Sequence, residues 1–362
     1  MDTVKQVWFA AANSERGFEN RFPALFSAEA GDGRTYIIKG GPGTGKNRLM
    51  RRVADEAEAN GYHAVRFLCS SDPDSLDGLW LTSPAGVRVG LLDGTAPHAW
   101  EPTLPGAREE LLDLGRFWDS AALAREQETI RRLNLRKSAA YRRAYHCLRA
   151  AGEADRVSES LLAPCLREAK LDALAERLLR VAIRRGQAAE PLPIPAEVFR
   201  RGYTMSGLMR LDTPDRLSAR LLCVGDRSGA GYRLLHLLRH RAAERHIPVT
   251  VFRDPLRPDR IDGILFRESR LCVLCDAPAA GRPEADPHPL ALRSCLDSEA
   301  LRRVRPQMRA AAALRDAALG NAVVHLSSAR EAHFELERIY TAAMDFAAVE
   351  KFTGEVCERV LG

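Results

Sequence analysis

The sequence predicts an α/β protein made of two tandem lobes with mainly parallel sheets, each lobe followed by a helical extension. Three observations predict this. A β-prone run, a glycine-rich loop and an amphipathic helix follow one another over residues 35–60; the same succession returns 185 residues later; and a helical region follows each copy.

The chain's 362 residues exceed what one hydrophobic core usually organises. With 46% hydrophobic and 28% charged residues, 20 Pro and 26 Gly, it is globular rather than disordered or fibrous. No apolar run reaches the roughly 18 to 20 residues of a spanning helix, and the start carries Asp2 and Lys5 with no apolar core or cleavage site after them. A membrane span and a secretory signal are therefore not expected. Eight sparse, irregularly spaced cysteines predict reduced thiols and a cytoplasmic location. Cys272 and Cys275 form a lone CxxC with no second ligand pair nearby, so they read as buried strand residues before they read as a metal or redox pair.

The first element with chemistry is Thr35 to Lys39, a strand, followed at once by Gly40-Gly41-Pro42-Gly43-Thr44-Gly45-Lys46-Asn47 and a helix from Lys46 to Asn60. This is GxxxxGK in the context the motif demands. Glycines let successive backbone N–H groups curl around a β-phosphate, Lys46 places a cation between β- and γ-phosphates, and the helix start adds partial positive charge. Gly40 to Asn47, with Arg48 beside them, are thus the candidate nucleotide-binding residues. The helix carries Leu49, Met50, Val53, Ala54 and Ala57 at helical spacing and stops at Asn60-Gly61. One departure matters. The residue after the lysine is ordinarily Ser or Thr, whose hydroxyl binds Mg²⁺; here it is Asn47, whose amide oxygen is a weaker candidate.

A second strand, Ala64 to Leu68, ends in Cys69-Ser70-Ser71-Asp72, and a third, Val87 to Leu92, closes in Asp93. An acid at the carboxyl edge of such a strand suits the water shell of a metal, so Asp93 joins Asn47 as a candidate Mg²⁺ site and joins Lys46 as a candidate catalytic residue. Gly94 follows, where a water-activating carboxylate often stands, so a catalytic base must come from elsewhere. Asp72 and His98 are the first candidates, with Asp74 and Asp77; the three aspartates fall in a stretch read as turn-rich, where Asp also serves local hydrogen bonds.

The second lobe follows from sliding the chain on itself. Gly40 to Gly78 match Gly225 to Gly263 without gaps at nine of 39 positions, including Phe67/Phe252, Asp77/Asp262 and Gly78/Gly263. Ordinary composition gives about three. Phe9 and Gly17 have counterparts in Phe199 and Gly207, Asp93 in Asp276, and Trp118-Asp119-Ser120 in Leu296-Asp297-Ser298. The second loop reads Gly225-Asp226-Arg227-Ser228-Gly229-Ala230-Gly231-Tyr232: glycine replaces the lysine and Asp226 opposes phosphate. Its degeneration predicts a supporting rather than a binding role.

These readings divide the chain into a first P-loop lobe (1–118), a basic helical extension (119–186), a Pro-rich linker (187–198), a degenerate lobe (199–296) and a C-terminal helical extension (297–362). The net charge of +6 is concentrated: residues 131–185 hold 14 Lys plus Arg against 6 Asp plus Glu, leaving −2 elsewhere. With a break at Pro164, this segment offers a basic helical surface for nucleic acid or an acidic protein, or simply a solvated helix pair.

Beyond the loop, the chain carries Phe9-Ala-Ala-Ala-Asn13-Ser14-x-x-Gly17-Phe18, Cys69-Ser-Ser-Asp-Pro-Asp-Ser-Leu-Asp77-Gly78, Asp93-Gly-Thr-Ala-Pro-His98 and Leu336-Glu337-x-x-Tyr340-x-x-Ala343-Met344-Asp345-Phe346. With the loop itself, these resemble a family of largely uncharacterised bacterial ATP-binding proteins, predicted ATPases with two tandem P-loop halves. In that family both loops tend to be complete, so this chain departs at Asn47 and across its second loop. The resemblance implies ATP and Mg²⁺ as ligands and leaves the cellular role open. The first expectation is an ATP-binding protein, an Mg²⁺-dependent ATPase acting as a switch or motor. The alternatives are a non-hydrolysing nucleotide sensor, favoured by Asn47, and a small-molecule or nucleotide kinase, for which Arg125, Arg131 and Arg132 could serve as lid residues, although nothing in their spacing sets them apart from ordinary helix surface.

Overall fold

A computed structural model describes residues 5–27, 33–184, 193–224, 229–275 and 290–362. The first half contains β1 (Gln6–Phe9), β2 (Ala11–Ser14), β3 (Gly17–Asn20), α1 (Phe22–Phe26), β4 (Thr35–Lys39), α2 (Lys46–Ala59), β5 (His63–Leu68), β6 (Leu76–Thr82), β7 (Arg88–Asp93) and β8 (Glu109–Asp113). Helices α3 (Ser120–Arg125), α4 (Gln127–Leu162) and α5 (Glu168–Arg184) follow. The second half contains β9 (Glu197–Val198), β10 (Arg201–Thr204), β11 (Gly207–Arg210), α6 (Thr213–Leu217), β12 (Arg220–Cys223), α7 (Ala230–Glu244), β13 (Val249–Arg253), β14 (Ile261–Phe266) and β15 (Leu271–Leu274), then α8 (Ser298–Ala342) and α9 (Phe346–Leu361).

The class is α/β, but the sheets are mixed rather than mainly parallel. The first runs β1-β5-β6-β7-β4-β8, in which β5–β6 and β6–β7 are antiparallel. The reason is connection length. The links 69–75 and 83–87 are too short for the crossover that parallel neighbours need, so β5, β6 and β7 form a meander. Strand β6 lies inside the stretch read as turn-rich, and Asp77 sits within it, not in a turn. The second sheet, β12-β15-β14-β13-β9, repeats this order with one strand fewer. Register agrees too: Phe67 pairs with Gly78 and Phe252 with Gly263, and each ladder slips just after the Phe.

Side-chain alternation explains the layers. In β4, Tyr36 and Ile38 face α2, while Ile37 joins Trp8, Val65, Phe67 and Leu92 on the other face. Leu221, Phe252, Leu265, Cys272 and Leu274 of the second sheet enter that same cluster, and Trp8 stacks on Phe252 with ring centroids 5.3 Å apart. The sheets therefore share an inner core, which is why their strands read as near-continuous apolar runs.

The helical segments cross over. Apolar Leu171, Leu174, Leu178 and Leu179 of α5 bury against α7 of the second half, whereas Phe352, Val356 and Val360 of α9 bury with α2 of the first. Helices α4 and α8 pair along their lengths, Arg136 meeting Glu331 and Glu335 at one end and Asp155 meeting Arg315 towards the other, so they run antiparallel. Backbone bridges pin the crossings: Phe9 with Phe199, Trp118 with Met344, and Leu166 with Leu296. Asp119 and Asp297 cap α3 and α8 in the same way, each Oδ1 accepting two backbone N–H groups. Pro164 lies in the 3-10 turn Ala163–Cys165 that separates α4 from α5. No helix among the described residues is long and apolar enough to cross a membrane.

Candidate functional site

The glycine-rich loop leaves the carboxyl end of β4 and enters α2 through Gly45, whose φ of +96° only glycine adopts easily. Gly43, at φ +70°, makes a second left-handed step. Lys46 folds back over the loop: its Nζ donates to the carbonyls of Gly41 (2.7 Å) and Gly40 (3.1 Å). Strand β7 is the parallel neighbour of β4, with Ile38 opposite Asp93, and this register brings Asp93 Oδ2 to 3.6 Å from Lys46 Nζ. Thr44 turns inward, its hydroxyl donating to Gly41 O.

Asp93 is 8% exposed, and its Oδ1 accepts from the Thr95 N–H and hydroxyl, which leaves Oδ2 facing the lysine. His98 returns to the same spot after the turn. Its Nδ1 is 2.7 Å from the Asp93 carbonyl and its Nε2 is 3.2 Å from Asp77 Oδ2. Burial opposes a charge on His98, but the carboxylates of Asp77 and Asp93 outweigh it and lift its pKa to about 9. At neutral pH this favours an imidazolium that donates to both neighbours. Ligand atoms of Asp77, Asp93 and His98 all lie within 4.8 Å of one another. Cys69 is nearby; burial and the Asp77 charge push its thiol pKa well up, so it is a neutral partner.

Asn47 is otherwise engaged. Its Oδ1 accepts from Leu76 N (3.1 Å) and Arg51 Nε (3.0 Å), and its Nδ2 reaches the Asp74 carbonyl at 3.4 Å, so the side chain ties α2 to the start of β6. Asp72 Oδ2 accepts from Ser75 Oγ within a turn, and Asp74 is exposed. Arg48 points away from the loop towards Glu350 of α9, at 3.0 Å. Lys46 and Asp93 are thus brought together with the loop, Asp77 and His98 lie behind them, and Asp72, Asp74 and Arg48 serve local contacts.

Sequence reasoning missed what covers the loop. A Cβ added to Gly41 would lie 2.7 Å from the Tyr340 ring, and one on Gly43 would lie 2.7 Å from both the Glu337 carbonyl and Thr341 Oγ1. The end of α8 therefore rests on the glycines, and Thr341 donates to Gly43 O at 3.3 Å. Beside it, a cleft of about 410 Å³ opens between Arg116–Asp119 and Ala342–Asp345. From the other side, Tyr141 of α4 donates to Ser71 Oγ (2.7 Å) and Tyr145 to Asn13 Oδ1 (3.0 Å), while Asn13 Nδ2 bonds the carbonyls of Ser70 and Tyr203. The quoted motifs around Asn13, Cys69 and Tyr340 carried a signal of these contacts; α4 carried none.

In the second half, Tyr232 and Asp262, the residues aligned with Asn47 and Asp77, belong to a largely buried charged cluster. Arg201 binds Asp262 (2.6 Å) and Asp254 (3.0 Å), and Tyr232, at the position of Asn47, donates to Asp254. Gly231 stands where the lysine would, and a Cβ there would lie 2.9 Å from Cys275 Sγ. Residues 225–228, the Asp276 counterpart of Asp93, and 187–192 of the Pro-rich linker lie outside the described residues. Comparison with protein-family models, with curated proteins and with solved structures gave no match.

Proposed function

We propose that the first lobe binds ATP with Mg²⁺ through Gly40 to Asn47 and that the chain is a nucleotide-driven switch, an ATPase of the kind its motifs resemble. One observation carries the reading: the lysine that ends the loop and the acid that ends the neighbouring strand meet at 3.6 Å, with the lysine amine already on the loop's carbonyls. The residues suit the group. Left-handed glycines expose backbone N–H donors, Lys46 supplies charge for the β- and γ-phosphates, and Asp93 Oδ2 offers an oxygen of the hard kind Mg²⁺ prefers. When bound, Mg²⁺ neutralises charge on the phosphate oxygens. His98, itself braced by Asp77, holds the Asp93 carbonyl from behind, and the end of α8 packs on the loop's glycines.

The shared strand order and the matching Phe–Gly registers support reading the lobes as tandem copies of one module, the second without its phosphate chemistry. Exposed Arg142, Arg143 and Arg149 of α4 form no salt bridge among the described residues and support a nucleic-acid or acidic protein partner along residues 131–185. Titration with a fluorescent ATP analogue tests the reading. Lys46→Ala weakens binding by at least about tenfold, as expected for loss of a charge-assisted contact, whereas substitution of Gly231 changes little. Equal effects at the two positions would refute it.

A non-hydrolysing sensor is the second reading, favoured by the two donors that already occupy Asn47 Oδ1. Mg²⁺-dependent phosphate release separates the two. A sensor releases almost none, and Asn47→Thr raises the rate by restoring a hydroxyl ligand; a wild-type protein turning over at an ordinary enzymatic rate refutes the sensor.

A further inference from the structure

Helix α4 passes the loop with one lysine turned into the site. Leu133, one turn before Lys137, packs with Ala332 and Leu336 of α8, directly beside Glu337, whose carbonyl lies against Gly43. Tyr141, one turn after, is bonded to Ser71 in the loop that follows β5. Residues one turn apart share a helix face, so Lys137 projects into the space bounded by the glycine-rich loop, Glu337 and the 69–75 loop. It is half-buried and lies within electrostatic reach of Lys46.

Among the described residues no carboxylate forms a salt bridge with Lys137, and Glu337, the acid closest to serving, is shared with His333 at 3.4 Å. Burial lowers the Lys137 pKa, Glu337 raises it and Lys46 lowers it again, with the net direction downward. Two ammonium groups thus face one space, Lys46 beside Asp93 and Lys137 with no salt bridge to a carboxylate among the described residues. An anion with several charged oxygens placed between them would satisfy each, and a polyphosphate seated on the loop is such an anion.

We propose that Lys137 is a second phosphate-binding cation, which grips the outer end of a polyphosphate from the wall opposite Lys46 and so ties helix α4 to nucleotide occupancy. The inference rests on the nucleotide reading above and deepens it. Because α4 and α8 pair along their lengths and α8 reaches the second half, this contact gives a bound terminal phosphate a direct hold on the element that joins the lobes. Lys137 then distinguishes triphosphate from diphosphate, whereas Lys46 is needed for both.

The test compares affinities of the full chain for Mg·ATP, Mg·ADP and AMP in wild type, Lys137→Met, Lys137→Arg and Lys46→Ala. Lys137→Met weakens ATP by about tenfold or more and ADP by much less, collapsing the ATP preference, and Lys137→Arg restores most of it. Ligand-free Lys137→Met melts no lower than wild type, because a cation held against Lys46 is removed, but ATP raises its melting temperature less. If Lys137→Met binds ATP and ADP like wild type while Lys46→Ala loses both, the inference is overturned and the nucleotide reading stands. If wild type binds no nucleotide, the reading itself falls and takes the inference with it. A lowered melting temperature with unchanged ATP preference makes Lys137 a structural lysine and also overturns the proposal.

Discussion

Replacing Asp77 with Asn removes the charge that keeps His98 protonated inside the first lobe. Both residues are 5% exposed, so the pair is little screened by solvent. The His98 pKa rises from 6.5 to about 9 in the folded chain, and at about 1.4 kcal/mol per unit this is about 3 kcal/mol of stabilisation. The sign follows from where the proton sits. Between the two values the native state holds a proton that the unfolded chain has released, so the contribution is complete below pH 6.5, falls as pH rises and is gone above about 9. Urea unfolding of wild type and Asp77→Asn, with chelator present, at intervals from pH 6 to pH 9.5 measures it. Asp77 supplies the larger part of that lift and Asp93 the rest, so the variant is less stable at pH 6 by an amount on the order of 3 kcal/mol, and the difference shrinks towards pH 9. A gap that does not change with pH would show that the pair carries no such proton and would refute the reasoning.

Other perturbations address neighbouring links. Asn47→Ala leaves the Leu76 N–H without its acceptor and lowers stability by about 1–3 kcal/mol in denaturant titration; no loss would mean that the Asn47 strut is idle. Gly43→Ala forces a Cβ onto a left-handed backbone, 2.7 Å from Glu337 O, so the end of α8 lifts from the loop, read as faster hydrogen exchange at residues 337–345. Phe252→Ala empties the stack on Trp8 between the sheets and costs about 3–5 kcal/mol in unfolding free energy; a cost below about 1 kcal/mol would argue against a shared core.

Much of the local structure was legible because it rests on nearby residues. Thr35–Lys39, the loop and α2 were placed to within a residue, since strand, glycine turn and apolar helix face are all consecutive signals. The break at Pro164 was legible for the same reason. Strand direction was not. Asp72, Asp74 and Asp77 read as members of a turn-rich stretch, yet Leu76 to Thr82 is a strand paired between β5 and β7, which turns a parallel expectation into a meander. The crossover of α5 and α9 was also illegible, because either helix presents an apolar face that any lobe could bury.

The site divides the same way. Lys46 and Asp93 came from motif and spacing, and the β4–β7 register brings them to 3.6 Å. The Asp77–His98 pair needed the antiparallel β6 to reach its partner, and no one-dimensional pattern announces it. The approach of α8 to Gly41 and Gly43 depends on contacts some 300 positions distant in sequence. Asn47 was noticed as a departure from Ser or Thr; its bonds to Leu76 and Arg51 give the departure a structural use.

The central claim is that one lobe carries a phosphate site and the other does not. Calorimetric titration of the full chain with Mg·ATP measures this most directly, because the number of sites does not depend on the rate of any later step. One ATP per chain is expected. Two equivalent sites per chain, or an isotherm with no saturable binding, would contradict it.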